Sequence, residues 1–201
     1  MANHLETRES AYKEAIRAGR LKMLLVLLVC ASPIIASYVS YYFLKPDGRT
    51  NYGTIVEVKP LSATPLALLN GRPFAMPELK GKWVLVTIDG GACAEACIKK
   101  LYAMRQVRLA AGKEKDRLER AWLLNDDAAL STMTMREYDG TRMLRAQGAA
   151  LLKEFPAPQR VEDHIYLIDP LGNLVMRFPK DAEPARMKKD LDRLLKASRI
   201  G

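Results

Sequence analysis

The chain has 201 residues, a formal net charge of +9 and 49% hydrophobic residues. A basic chain suggests a nucleic-acid partner, but its basic residues are interleaved with acids, as in KEKDRLER and ARMKKDLDRLLK. This pattern is typical of solvated helix faces, so we expect no nucleic-acid partner. A basic face would still favour docking to anionic lipid or to an acidic protein.

A leader, residues 1–22, precedes an uncharged apolar run, Met23–Leu44. At about 1.5 Å per helical residue, this run can cross a hydrocarbon core of ~30 Å. Tyrosines cluster at its C-terminal end, where an aromatic belt is expected. A cleaved signal peptide and a buried core helix are the alternatives. The run is too long for an ordinary signal peptide, and no small-residue cleavage site closes it. We therefore expect a single transmembrane helix over residues 23–44.

Basic residues are more frequent before this span than after it. Arg8, Lys13, Arg17, Arg20 and Lys22 precede the span, whereas Lys45, Arg49 and Lys59 follow it. Because positive charge tends to stay in the cytoplasm, the N-terminus should lie inside and the rest of the chain outside. This predicts a protein of the bacterial inner membrane with its soluble domain in the periplasm, a compartment where disulfides persist.

After the span we expect a turn-rich linker over residues 45–63 and one soluble domain over residues 64–201. The part of the chain beyond the span, about 150 residues, is enough for a single core. A hairpin around Asn70-Gly71 opens the domain. The later predicted elements are a strand at 83–89, a helix at 92–111, a strand at 120–124, a helix at 141–154, a strand pair at 164–168 and 173–178, and a helix at 183–198.

Two cysteines, Cys93 and Cys97, follow the apolar strand 83–89 after a Gly-Gly break. The sequence predicts that both lie near the N-terminus of the next helix, on one face. Unpaired amide groups and the helix dipole favour a thiolate at such a position. Two thiols placed in this way can close a disulfide, exchange one, or hold a soft metal ion.

Alternating strands and helices indicate an α/β fold, with an antiparallel edge from the last strand pair. The segment LKGKWVLVTIDGGACAEAC resembles the strand and cysteine loop of the thioredoxin superfamily, and IYLIDPLGNLVMRF resembles its terminal hairpin. The resemblance covers roughly residues 64–195 and implies a thioredoxin-like fold, a central mixed sheet flanked by helices. The Cys-x-x-x-Cys spacing and a nearby Asp-His pair are similar to the membrane-anchored Sco/SenC copper proteins. Ile98 stands where that family usually has proline.

The resemblance implies a role in cytochrome c oxidase assembly, with an oxidase subunit or another assembly factor as partner. It also implies that His164, at the position of the superfamily's cis-proline, can approach Cys93 and Cys97. Two thiolates and one imidazole form a ligand set that suits Cu(I), and Asp163 could orient the imidazole. A histidine that merely begins a strand and packs there is the alternative.

Three functions remain open. In the first, the protein binds and delivers Cu(I) through Cys93, Cys97 and His164 and is not an enzyme. In the second, it is a thiol–disulfide oxidoreductase that keeps a partner's copper-site cysteines reduced. Cys93 would then be the attacking thiolate and Cys97 would resolve the mixed disulfide. In the third, it is a scaffold in which the two cysteines only brace the loop.

Overall fold

The computed structural model of the protein describes residues 2–42, 51–198 and 200. The chain divides into two compact units, Met1–Arg49 and Thr50–Gly201. Within its described residues, the first unit is one helix, α1 (Ala2–Tyr42).

Helix α1 contains one stretch, Gly19–Tyr42, that is long and apolar enough to span a membrane, with a mean hydropathy of 2.2. Its large apolar side chains are exposed, as a lipid-facing surface requires. Pro33 lies inside the helix, and the rings of Tyr38 and Tyr42 stack at its end. The apolar stretch agrees with the predicted span as far as Tyr42, and residues 43–44 of that span lie outside the described residues.

The second unit is built around one mixed sheet with the strand order β1-β8-β7-β4-β5-β6-β2-β3. Its strands are β1 (Thr54–Pro60), β2 (Leu66–Leu68), β3 (Pro73–Phe74), β4 (Trp83–Asp89), β5 (Leu118–Leu124), β6 (Arg142–Arg145), β7 (Ile165–Ile168) and β8 (Asn173–Arg177). Strand β4 pairs in parallel with β5 and antiparallel with β7. The other helices are α2 (Glu95–Ala110), α3 (Thr132–Glu137) and α4 (Pro184–Ala197). This mixed sheet with flanking helices is the α/β architecture that the sequence predicts.

Strand β4 is the centre of the core, because it is buried on both faces. This explains its continuous apolar run, since only a strand covered on two sides lacks polar alternation. One face packs under α2 and α4, with Leu85 and Leu167 in the sheet, Phe178 directly after β8, and Met104 and Leu191 in the helices. The other face packs against loops and short 3₁₀ turns.

Three predicted elements differ from the structure. Residues 54–60 of the predicted linker form β1, which pairs with β8, and residues 45–50 lie outside the described residues. The predicted helix 141–154 is instead β6 followed by a 3₁₀ turn, Ala150–Glu154. Its good helix formers are overruled because pairing with β5 buries Met143 and Leu144. Helix α2 begins at Glu95, so Cys93 precedes it.

Truncation of a buried side chain in the central strand β4 should destabilise the domain strongly. Leu85 is fully buried, so Leu85→Ala should lower the free energy of unfolding by about 2–5 kcal/mol. Leu109→Ala is the matched control, because Leu109 is 58% exposed, and its effect should stay within about 0.5 kcal/mol. Urea denaturation measures both variants. Equal effects would mean that the sheet is not packed as described.

Candidate functional site

The loop between β4 and α2 is held by the carboxylate of Asp126, which follows β5. Its Oδ1 accepts hydrogen bonds from the backbone N–H groups of Gly91 (2.8 Å) and Ala128 (3.1 Å). A Cβ at Gly91 would lie 2.2 Å from the Ala128 carbonyl oxygen, so the close approach requires glycine. The Gly-Gly break therefore lets the chain lie against the neighbouring loop, and this contact sets the position of the loop that carries Cys93.

Cys93 and Cys97 are joined by a disulfide, with their Cα atoms 5.1 Å apart. Cys93 has a left-handed backbone (φ 42°), which is uncommon for a residue with a side chain. It therefore lies in the loop rather than on the helix face that the sequence predicts. Cys97 lies in the first turn of α2. The structure thus brings together two of the three predicted site residues, through a turn that a continuous helix would not make.

The two sulfur-bearing residues differ in exposure. Cys97 is only 2% exposed. It lies in an apolar cluster whose buried members are Cys97, Leu101, Trp122, Leu124, Tyr138 and Met143. Cys93 is half-buried at the edge of that cluster. An external thiol or disulfide can therefore reach Cys93 more readily than Cys97.

A buried ion pair lies one helical turn beyond Cys97. The Nζ of Lys100 is 2.5 Å from Oδ2 of Asp89, the last residue of β4. The same ammonium donates to the backbone oxygen of Glu162, in the turn before β7. Lys100 is 6% exposed, so these contacts replace water around its charge. One cation therefore ties α2 to β4 and to the segment that leads into β7.

Burial raises the pKa of Asp89 above its ordinary value, and the ammonium of Lys100 opposes this rise. The folded protein therefore binds this proton at a higher pH than the unfolded chain does. Between the ordinary and the folded pKa, the stability contributed by this carboxyl falls as the pH rises. The Lys100 charge limits this loss at neutral pH.

His164 immediately precedes β7 and is buried, with 8% of its surface exposed. Its Nδ1 lies 2.9 Å from the Phe178 carbonyl oxygen. Because a carbonyl only accepts, Nδ1 carries the proton and Nε2 of the neutral ring keeps its lone pair. Burial lowers the pKa of His164, although the bond to Phe178 acts in the opposite direction. The ring is therefore neutral at pH 7, the form that binds metals.

The sheet register places His164 at the same end of the sheet as the cysteine loop, because Thr87 pairs with Ile165. Over residues 2–42, 51–198 and 200, however, no group of three or more His, Cys, Asp or Glu side chains could hold a metal ion. The predicted partner of the imidazole is also different. Asp163 pairs with Lys180 at 3.4 Å, and the Phe178 carbonyl binds His164 instead.

Lys100 and Asp89 are site residues that the sequence analysis missed. A helical pattern of buried positions in α2 would have indicated Lys100, since Cys97, Leu101, Met104 and Val107 are buried on the same side. A lysine within such a stripe needs a buried anion, but the stripe alone does not show which carboxylate supplies it.

The comparison with protein families finds one match. A family model described as transmembrane-like, thioredoxin-like, C-terminal domain matches residues 83–198. These residues include both cysteines, the Asp89–Lys100 pair and His164. No curated protein sequence matches the chain.

Solved structures share the fold of the second unit. Copper-bound ScoI from Bradyrhizobium japonicum is 22% identical, with a TM-score of 0.52, and the match covers 69% of this chain and 99% of that chain. Apo Sco1 from Thermus thermophilus is 18% identical, with a TM-score of 0.58 and coverage of 74% and 99%. The thioredoxin domain of a thiol-disulfide oxidoreductase from Bacteroides vulgatus is 16% identical, with a TM-score of 0.53 and coverage of 71% and 99%. The predicted thioredoxin-like fold and its resemblance to Sco proteins are confirmed.

Removal of one member of the buried Asp89–Lys100 pair should destabilise the domain at neutral pH. Lys100→Met leaves the Asp89 carboxylate buried without its cation, so the free energy of unfolding at pH 7 should fall by about 3–5 kcal/mol. The loss should shrink at acidic pH, because burial raises the pKa of Asp89 and its neutral form needs no cation. Denaturant unfolding at the two pH values measures this difference.

Lys99→Met is the matched control, because the neighbouring Lys99 is exposed and pairs only with exposed Glu95. This variant should leave stability nearly unchanged at both pH values. A similar loss in both lysine variants, or a loss independent of pH in Lys100→Met, would contradict the role assigned to the Asp89–Lys100 pair.

Proposed function

Since this chain belongs to the transmembrane-like, thioredoxin-like C-terminal domain family, we propose that it is a membrane-anchored thiol–disulfide exchange factor. The observation that carries this proposal is the unequal exposure of the Cys93–Cys97 pair. An accessible sulfur can attack a partner, and a hidden sulfur can resolve the product without reacting with other thiols. A purely structural disulfide has no need of such a difference.

In the proposed reaction the reduced protein attacks a disulfide of its partner. The Cys93 thiolate bonds to one partner sulfur, and the other partner sulfur leaves as a thiolate. The Cys97 thiolate then attacks Cys93 Sγ and releases the second partner thiolate. Two electrons pass to the partner, whose thiolates take up two protons, and the Cys93–Cys97 disulfide remains. A dithiol reductant must then restore the reduced form.

The partner we propose is the copper-site cysteine pair of a cytochrome c oxidase subunit, or of another assembly factor. The Sco-like fold of this chain and its cysteine spacing support this partner. Helix α1 supports a membrane location, and the charge bias around it supports placing the domain in the periplasm of a bacterial inner membrane. Copper-site cysteines in that compartment must be reduced before metal enters, because only the thiolate is a ligand.

Cu(I) binding is the second candidate function, with the ion as cargo. The solved ScoI of Bradyrhizobium japonicum holds copper, and the two cysteines of this chain are soft donors that suit Cu(I). His164 adds a neutral ring with Nε2 free at the same end of the sheet. In the oxidised protein both sulfurs are bonded to each other, so only the reduced protein could accept the ion.

Trapping of a mixed disulfide tests the exchange function. In Cys97→Ser the accessible Cys93 remains without its resolving thiol, so a covalent complex with the partner should accumulate in native membranes. Non-reducing electrophoresis of the full chain should reveal it, and reductant should remove it. Cys93→Ser is the matched control and should trap little, because Cys97 is buried. Equal trapping by the two variants, or no adduct from either, would refute the proposed roles.

Anaerobic titration with Cu(I) against a competing chelator tests the second candidate. The reduced full chain should bind one ion, and Cys93→Ser and Cys97→Ser should each abolish tight binding. His164→Ala should weaken binding without removing it, because two-coordinate thiolate binding remains. If the cysteine variants bind as tightly as the parent protein, copper binding at this site is disproved and the exchange function stands alone.

A further inference from the structure

A groove of about 540 Å³ is lined on one side by residues of α2 that begin at Ala96, next to Cys97 in the chain. Ile98 and Tyr138 also line it, and both belong to the cluster around Cys97, against which Cys93 packs as well. The groove and the cluster around the redox pair therefore share these two side chains. We refer to it as the α2 groove.

The α2 groove offers apolar contact to a bound chain. Ala96, Ile98 and Ile165 contribute aliphatic surface, and Tyr102, which is 50% exposed, contributes an aromatic side chain. An exposed aromatic side chain beside such an aliphatic surface is a common anchor for a partner polypeptide. The size of the groove suits a few residues of extended chain rather than a whole protein surface.

The charges around the α2 groove are not balanced. Lys99 is paired with Glu95 at 2.9 Å, and Lys100 is paired with Asp89. The carboxylates of Glu137, Asp181 and Glu183 also line the groove. Lys99 attracts Asp181 and Glu137 hydrogen-bonds Tyr138, but within the described part of the chain none of the three carboxylates forms a close ion pair. The protein as a whole carries a net charge of +9, so this negative groove is a local exception beside the reactive cysteines.

We infer that the α2 groove binds an extended segment of the redox partner in which lysine or arginine residues flank the reactive cysteines. This inference rests on the exchange function proposed above and names the class of substrate. Lysine and arginine have apolar stems that can cover the aliphatic lining of the groove while their cationic ends contact its carboxylates. Binding there would bring the partner's disulfide to Cys93, and like charges would disfavour acidic segments.

Two synthetic peptides test this inference. Both contain one intramolecular disulfide and have the same sequence, except that one carries two lysines beside each cysteine and the other two glutamates. The reduced full-length protein, in a non-ionic detergent, is mixed with each peptide, and the second-order rate of peptide reduction is measured. The lysine peptide should react about tenfold faster at low salt. The difference should largely disappear in about 0.5 M salt, because the charges are exposed and screened.

Two double variants, each of which removes two negative charges, show whether the charge preference depends on the α2 groove. Asp181→Asn with Glu183→Gln should slow reduction of the lysine peptide severalfold and bring its rate close to that of the glutamate peptide. Glu57→Gln with Asp116→Asn changes the net charge equally, at exposed carboxylates outside the groove, and should leave the preference intact. A free-thiol reagent should react equally with Cys93 in all reduced proteins, which checks that the site itself is preserved.

The outcomes separate a failure of the charge preference, of the groove and of the exchange function. Equal rates for the two peptides with the parent protein would overturn the proposed charge preference while leaving the exchange function in place. A preference that both double variants abolish equally would mean that net charge, not the α2 groove, selects the partner. If neither peptide is reduced, the exchange function is wrong, and the groove proposal falls with it.

Discussion

The buried ammonium of Lys100 connects the three parts of the chain that form the site. It pairs with Asp89 at the end of β4 and donates to the Glu162 carbonyl in the turn before His164. It also lies in the same helix as Cys97. A charge enclosed in this way is stable only when its partners keep their geometry. The cysteine loop, the start of α2 and the approach to β7 are therefore constrained together, and a shift in any one of them would expose an unpaired charge.

This constraint gives the two cysteines their different environments. Because α2 is tied to the sheet at Lys100, its first turn is pressed against the apolar cluster and Cys97 is buried. Cys93 precedes the helix and stays at the edge of the cluster. The same helix has one side in the core and another side along the α2 groove. Under the proposed exchange function, attack, resolution and partner contact would fall to different positions of one short segment.

The sequence predicted the parts of the fold that depend on local patterns. The unbroken apolar run of β4, the Asn-Gly hairpin and the strand pair at 164–168 and 173–178 each carry their own signal, and all three are present. Strand β6 was mistaken for a helix because its residues are good helix formers, and only its pairing with β5, distant in sequence, makes it a strand. Cys93 and Cys97 could be recognised from their spacing. Lys100 could not be paired with Asp89 without the packing of α2 on β4.

The segment that enters the second unit is bound by its C-terminal helix. The backbone N–H of Gly53 donates to Asp190 Oδ2 at 2.8 Å, and the guanidinium of Arg186 lies 4.0 Å from the centre of the Tyr52 ring. The natural folding unit therefore begins before β1, upstream of the boundary that composition suggests. A soluble fragment cut at residue 64 would uncover the edge of β8 and take away the backbone donor of buried Asp190. A fragment of the second unit should retain Tyr52 and Gly53, because both contact helix α4.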